Sequence, residues 1–403
     1  MEHASEAAAE ANSEANSEAA AEVAAGLVAT PDEDDALLRR MPKAELHLHL
    51  DGSIRPETAL ALARERGLDH GLDLAAIGAR LAAPAGTRDQ AELLHAFDLP
   101  IALMQDAEAL RRVTAELVQD AASDGTRYAE IRWAPGLHLA RGLGLRDGIA
   151  AVAQGARDGV AAVEAAGAAG AAGAAGDGTL ARPQGQLPRV VVRLIAVAMR
   201  FDDPRVNVRV AEAAAGFAGE WLTGFDLAGP EGAFPDALAH RAAFEAARAA
   251  GLGITVHAGE WGGAAQVGRA LALDPARIAH GAPAIGDSGL VAELRERNVT
   301  LDLCPTSNVR AATFARLADH PLSRFVRAGV PVTLSTDART VLGLTLVDEY
   351  HNALRVLGLS LPELWAVDRH ALEVAFLAND EPLRRSLLGA FDTFAAAEPR
   401  VAP

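Results

Sequence analysis

AELHLHLDGS, residues 44–53, alternates leucine with ionisable side chains: Leu46, Leu48 and Leu50 occupy one set of positions, His47, His49 and Asp51 the other. A period of two is that of a β-strand, whose successive side chains leave opposite faces. The segment is therefore expected to be a strand with one leucine face for packing and one polar face for chemistry. Two imidazoles two residues apart on one face reach a single ion. A distant imidazole and a carboxylate would complete the nitrogen and oxygen set that suits zinc. Two further stretches share this character, ITVHAGE at 254–260 and VTLSTDA at 332–338, each an apolar β-like run that ends in histidine or aspartate.

Outward from these clusters the chain alternates short β-like runs with longer helical ones. Candidate strands are 44–51, 126–133, 189–199, 222–228, 253–259, 277–281, 299–304 and 330–337, and the patterns at 236–250 and 287–297 are helical. Alternation of this kind argues for parallel strands joined by crossovers. Eight such units point to an α/β fold, a (β/α)8 TIM-like barrel, in which active-site groups sit at the carboxyl ends of strands. The segment 52–125 exceeds one crossover and is expected to add helices over that mouth, with the apolar LLHAFDLPIALM at 93–104 as a lid. The barrel domain is expected over 36–395. Residues 1–35, rich in Ala and Glu, read as a solvated tail, and the Ala- and Gly-rich 165–186 as a flexible insertion.

Half of the 403 residues are apolar and 23% are charged, which suits a large buried core. The formal net charge is −17, but ten negative charges fall within residues 1–35, which hold no Lys or Arg, leaving −7 for the remainder. This balance gives no basic footprint for nucleic acid, whereas a free nucleoside carries no phosphate and stays open as a ligand. No run reaches the roughly 18 apolar residues of a membrane span, and the amino terminus is acidic where an export signal is basic. A cytoplasmic protein with no membrane partner is expected. Cys304, the single cysteine, has no partner for a disulfide and reads as a small buried hydrophobe.

His257 and Glu260 lie three residues apart where a strand meets a loop, so one can face a metal and the other a substrate held above it. A buried glutamic acid with a raised pKa is a suitable proton donor. His280, in RIAHG, is a further imidazole at a strand end, either ligand or base. Asp337, in LSTDA, would be costly to bury without a cation or donors. These residues point to metal-assisted hydrolysis, with one carboxylate at the metal and one carboxyl group to protonate a leaving nitrogen or oxygen.

MPKAELHLHLDGS from residue 41, then RYAEIRWAP, DLAGPE, HAGE, RIAHG, LCPTSN and STDA ending at 338, resembles in order the adenosine deaminase family of metal-dependent hydrolases. The resemblance implies a (β/α)8 barrel with one Zn2+ that activates water to attack carbon 6 of a purine, releasing ammonia. Residue by residue it makes His47, His49, His257 and Asp337 the zinc ligands. Glu260 becomes the donor to the neighbouring ring nitrogen, and His280 the group that orients the water and stabilises the tetrahedral intermediate, with Asp337 holding the attacking oxygen in line. His49, Asp51 and Gly229 face the substrate, Asp51 at the ribose and Gly229 through its backbone amide. One position departs from the pattern. Where the family usually carries a second acidic residue, or Asn, against ring nitrogen 7, this chain has Ala338, followed by Arg339. Adenosine and deoxyadenosine are the expected substrates. A modified 6-aminopurine nucleoside such as aminodeoxyfutalosine is the alternative, with Arg339 either meeting a substrate carboxylate or making a surface salt bridge. A non-catalytic nucleoside-binding protein on the same barrel would have lost a ligand or the acid, and none is lost.

Overall fold

A computed structural model of the protein describes residues 33–84, 86–87, 90–175 and 189–401. Its centre is a single sheet of eight strands: β1 (Lys43–His49), β2 (Thr126–Trp133), β3 (Val191–Met199), β4 (Leu222–Ala228), β5 (Gly253–Ala258), β6 (Arg277–His280), β7 (Thr300–Leu303) and β8 (Val332–Leu334). Each strand pairs in parallel with the next. The sheet closes on itself just past β8, where Asp337 bridges to Leu48; His49 donates its backbone N–H to the Asp337 carbonyl (2.6 Å) and Asp337 donates to that of His47 (3.0 Å). This is the (β/α)8 barrel expected from the alternation.

Local chemistry explains the elements. Leu46 and Leu48 on β1 are fully buried and pack into the main apolar core, while His47 and His49 leave the opposite face. Crossover helices begin at capping residues: Asp106 accepts from Ala109 N–H at the start of Ala107–Ser123, and Thr345 and Ser360 close capping boxes on Leu346–Arg355 and Leu361–Val374. Four short helices, Pro56–Arg66, Leu74–Leu81, Gln90–Leu94 and Asp98–Leu103, fill the long segment between β1 and β2. The Ala-rich stretch beyond residue 165 starts as helix, since Leu145–Ala175 runs on into it; alanine is the strongest helix former and outweighs the interspersed glycines. Residues 176–186, like 1–32 of the acidic segment, lie outside the described residues; the last residues of that segment open the helix Glu33–Arg40. Among the described residues no helix is long and apolar enough to cross a membrane.

The barrel interior departs from the branched apolar filling usual in this fold. Glu130 and Arg132 of β2, Asp226 of β4, Arg277 of β6 and Asp302 of β7 are all completely buried there. They form a ladder of alternating charge. Arg277 pairs with Glu130 and donates from Nε to Asp302 (3.1 Å); Arg132 lies 3.6 Å from Asp302 and donates from Nη1 to Asp226 (2.9 Å). Tyr128 and the Phe376 backbone N–H donate to Glu130, the Phe376 ring covers the Arg277 guanidinium at 3.8 Å, and Arg132 donates a further bond to the Leu46 carbonyl. Removing one partner from such a buried pair leaves the other charge uncompensated. Arg277→Ala should therefore lower unfolding stability by about 3–5 kcal/mol in urea titration, and a loss below about 1 kcal/mol would show that the ladder is dispensable to the fold.

Candidate active site

The carboxyl ends of β1, β5, β6 and β8 bring the ionisable residues to one point. His47 and His49 share a face of β1 with their Nε2 atoms 3.2 Å apart, and His257, near the end of β5, places its Nε2 3.2 Å from that of His49. Asp337 sets Oδ1 3.3 Å from His47 Nε2 and 3.5 Å from His49 Nε2. His280, the last residue of β6, directs Nε2 towards Glu260 (3.6 Å) and Asp337 (4.0 Å).

Electrostatics tests whether these donors suit a cation. Burial holds the His47 imidazole well below its ordinary pKa, with Arg132 adding to the effect, and lowers His49 to about 3. The rings are thus neutral at physiological pH and offer bare nitrogens. Imidazole nitrogens turned on one another at 3.2 Å beside a buried carboxylate repel one another unless protons or a cation stand between them. Three nitrogens and one carboxylate oxygen match the preference of zinc, so the residues fit a metal.

The backbone is strained where the chemistry lies. His280 and Asp337 adopt φ of 66° and 69°, a left-handed region that costs a non-glycine residue about 1–3 kcal/mol. The two backbone hydrogen bonds that close the barrel hold Asp337 in that conformation, and Ser307 donates to its Oδ2 at 2.5 Å.

Three supporting carboxylates and hydroxyls went unassigned in the sequence. Asp226 Oδ2 stands 2.8 Å from His257 Nδ1 without the alignment of a hydrogen bond; a proton on that nitrogen would face the carboxylate and leave Nε2 bare for the cluster. Glu231 accepts backbone N–H bonds from Gly259 (2.8 Å), Trp261 (2.9 Å) and Gly262 (2.7 Å), clamping the loop that carries Glu260. Ser307 is the third. Asp226 had a readable signal, a carboxylate inside the apolar strand LTGFDLA, which must find a partner when buried. Glu231 and Ser307 lie in DLAGPE and LCPTSN, but nothing in those motifs shows which groups they face.

Above the cluster opens a cavity of about 370 Å3 lined by His49, Asp51, Gly229, His257, Glu260, His280 and Asp337. Burial, reinforced by the nearby Asp337 and Glu231, pushes Glu260 well above the ordinary carboxylate range, which favours its protonated form. Asp51 is raised to about 6 by burial, and its Oδ1 is buried with no partner. Gly229 has φ of 113°, a backbone conformation that a residue with a side chain rarely adopts. Leu93, Leu94, Phe97, Asp98 and Ile101 of the segment expected as a lid also line the cavity.

Ala338 is in the wall, packed in a small apolar cluster with Leu93, Ala311, Val341, Phe97 and Trp261. Arg339 departs from both expectations for it. Its guanidinium turns away from the cavity and is buried against Glu45 and Asp124, each at 2.6 Å, so it meets no substrate and makes no surface bridge. The short helix Arg339–Leu342 begins at this residue and directs it there. Cys304 is fully buried and its thiol is pushed well up by burial, in keeping with a packing role.

A closed barrel whose strand ends gather histidines, an aspartate and a buried glutamic acid in a cavity defines a barrel hydrolase. Residues 42–393 match the adenosine deaminase family. The chain is 35% identical over 370 residues to the adenosine deaminase of Mycobacteroides abscessus, covering 88% of this chain and 95% of that one. It is 33% identical over 353 residues to that of Enterococcus faecalis, covering 86% and 96%. Among solved structures it resembles an adenine deaminase from Arthrobacter aurescens (TM-score 0.74, 26% identity, 88% and 99% covered). It also resembles the N6-methyl-AMP deaminase of Arabidopsis thaliana (TM-score 0.74, 26% identity, 90% and 100% covered). The chain belongs to the adenosine deaminase family and is a hydrolase of C–N bonds in cyclic amidines.

If Asp226 orients His257, Asp226→Asn should weaken zinc affinity about 10- to 100-fold in chelator competition while circular dichroism stays native. Unchanged affinity would remove Asp226 from the support of the cluster.

Proposed function

We propose that the protein deaminates adenosine and deoxyadenosine hydrolytically, giving inosine or deoxyinosine and ammonia, with one Zn2+ held by His47, His49, His257 and Asp337. When bound there, zinc supplies a nucleophilic water near neutral pH. The observation that carries the reading is the convergence of those four donors at the floor of a cavity whose wall holds the buried carboxyl group of Glu260.

Glu260 donates its proton to the ring nitrogen beside the attacked carbon, which draws electrons from that carbon as the oxygen adds. Of the water's two protons one passes to the amine, whose bond to the carbon then breaks to release ammonia, and the other restores Glu260. His280 and Asp337 flank the attacking oxygen from β6 and the β8 loop and hold it in line. Asp51, with an unpartnered oxygen at the cavity, accepts from the ribose. Gly229 brings backbone to the purine face, where any side chain would intervene. His49 serves twice, as ligand and as part of the substrate wall.

Ala338 favours a second reading in part. It packs against apolar residues and offers no side-chain group in place of the missing acidic one, which suits a 6-aminopurine nucleoside held by other contacts. The same cavity argues against an anionic one. Its described lining contains no Lys or Arg, and Arg339 is already paired. An acidic 5′ extension such as that of aminodeoxyfutalosine, or a 5′-phosphate, would meet no cation. Two Arabidopsis neighbours were solved with IMP and GMP; in this chain an uncharged nucleoside is the better fit. A non-catalytic binding protein would not need to retain the acid beside a complete ligand set.

Glu260→Gln should keep zinc content and fold but lower kcat about 100- to 10,000-fold, followed by loss of adenine absorbance and release of ammonia. A variant with near-normal rate would remove Glu260 as the acid. With the same assay, kcat/KM for adenosine should exceed that for AMP and for aminodeoxyfutalosine by about 100-fold or more; parity, or preference for either anion, would overturn the uncharged-nucleoside reading.

A further inference from the structure

Behind His280 runs a chain of buried side chains to which the reaction gives no role. Asn308, on the short helix Pro305–Arg310 that follows β7, places Nδ2 3.3 Å from His280 Nδ1 and Oδ1 3.1 Å from His320 Nε2. All three residues are buried. An amide oxygen only accepts and an amide nitrogen only donates, so the two ends of Asn308 impose opposite demands on two imidazoles. In this orientation His320 donates from Nε2, and His280 accepts at Nδ1.

The reverse orientation of the amide can be weighed against it. There His280 would donate from Nδ1 and His320 would accept at Nε2, which moves the one proton of a neutral His320 ring to its Nδ1. That atom is buried without a partner. An orphaned buried N–H is rarer and costlier than a bare acceptor. Burial lowers His320 to about 3, so the ring does not carry both protons. The reverse orientation would also turn a bare Nε2 of His280 towards the carboxylate of Asp337, at 4.0 Å, where the observed one presents an N–H.

We propose that Asn308, with His320 behind it, is a positioning residue that fixes His280 as the tautomer protonated on Nε2, so that His280 serves the site as a hydrogen-bond donor and not as a proton acceptor. The inference rests on the hydrolytic reading of the site. It makes the contribution of His280 a hydrogen bond to the oxygen that adds to the purine carbon, with no proton transferred. It also settles between the two roles that a histidine at this strand end could take, since a ring that accepts from Asn308 at Nδ1 has no free nitrogen with which to act as a base.

The test reads the tautomer directly, in full-length, zinc-loaded protein labelled with [15N]histidine and free of substrate. His280 is assigned by the signals lost in His280→Gln. Its Nε2 is expected to be the protonated, pyrrole-like nitrogen and Nδ1 the bare, pyridine-like one. Asn308→Asp, nearly isosteric, removes the amide donor and accepts at both ends. It should move the His280 proton to Nδ1 and lower kcat about 100-fold or more with KM changed less than about threefold, as a wrong tautomer does in other enzymes. A native His280 protonated on Nδ1 overturns the proposal whether or not Asn308→Asp folds. So does an Asn308→Asp variant that exchanges the protons at undiminished kcat. Because the spectra need no turnover, the expected tautomer in a protein that deaminates no nucleoside would count against the proposed reaction and leave the tautomer assignment standing.

Discussion

Asp226 is shared by two partners in turn: the Arg132 guanidinium at 2.9 Å and the His257 ring at 2.8 Å. That sharing links the packing of the barrel to the chemistry at its mouth. The ladder beneath, Glu130 to Arg277 to Asp302 to Arg132, holds three acids with Asp226 and only two arginines, so it carries one surplus negative charge. Asp226 is the acidic end nearest the imidazole cluster, where a cation held by His257 would offset its charge. An apolar filling would be simpler to fold, because each buried ion needs its partner in place before burial is tolerable. What the charged filling adds is direction. Arg132 ties β2 to β4, to β7 and, through the Leu46 carbonyl, to β1, so the strand that carries His47 and His49 is held to the one that supports His257.

Preorganisation at the mouth takes a different form at each strand end. At β8 the chain leaves the ladder after Leu334 and turns through a left-handed Asp337, fixed by hydrogen bonds to β1 on both of its peptide groups. At β5 the loop after Ala258 is held from outside by Glu231, which takes three of its backbone N–H groups and so sets where Glu260 points. At β6 the strain falls on His280 itself, whose ring is then gripped by Asn308. Each device exchanges local conformational freedom for a fixed side-chain direction, as electrostatic catalysis requires when donors must be aimed before charge develops.

How legible this was in the sequence depended on whether a residue's role shows in its own spacing. The leucine and histidine alternation of 44–50 specified both faces of β1, and the runs at 126–133 and 222–228 coincide with β2 and β4. The run at 330–337 overshoots β8, which spans only Val332–Leu334, because the last residues abandon extended geometry to aim Asp337. Apolarity alone does not reveal where a strand is sacrificed to a site. Partners separated by many residues were likewise hidden: Asp226 with His257, Glu231 with the 259–262 loop, and Asn308 with both His280 and His320 are contacts that only closure of the barrel creates. Arg339 shows the opposite hazard. Its neighbour Asp337 lies in the site, but the helix starting at Arg339 carries it to Glu45 and Asp124, out of reach of any ligand.

The substitution at 338 is built into the wall and is not an isolated loss. A Cβ on Gly52, in the loop after β1, would stand 2.4 Å from the Ala338 Cβ and 2.9 Å from the Phe97 ring. The β1 loop, the β8 loop and the helical cover therefore meet with no room for a side chain at position 52, and any larger residue at 338 would extend into the cavity that Ala338 lines. Packing at this density gives discrimination by shape in place of the hydrogen bond an acidic residue would make. Shape discriminates weakly between close analogues, by about 1–3 kcal/mol per methylene, whereas an unmet charge is rejected more strongly. Under the proposed reading, a cavity with no described Lys or Arg in its lining would select first against charge and only second among uncharged nucleosides, and it is on the second, shape-based choice that Ala338 would act.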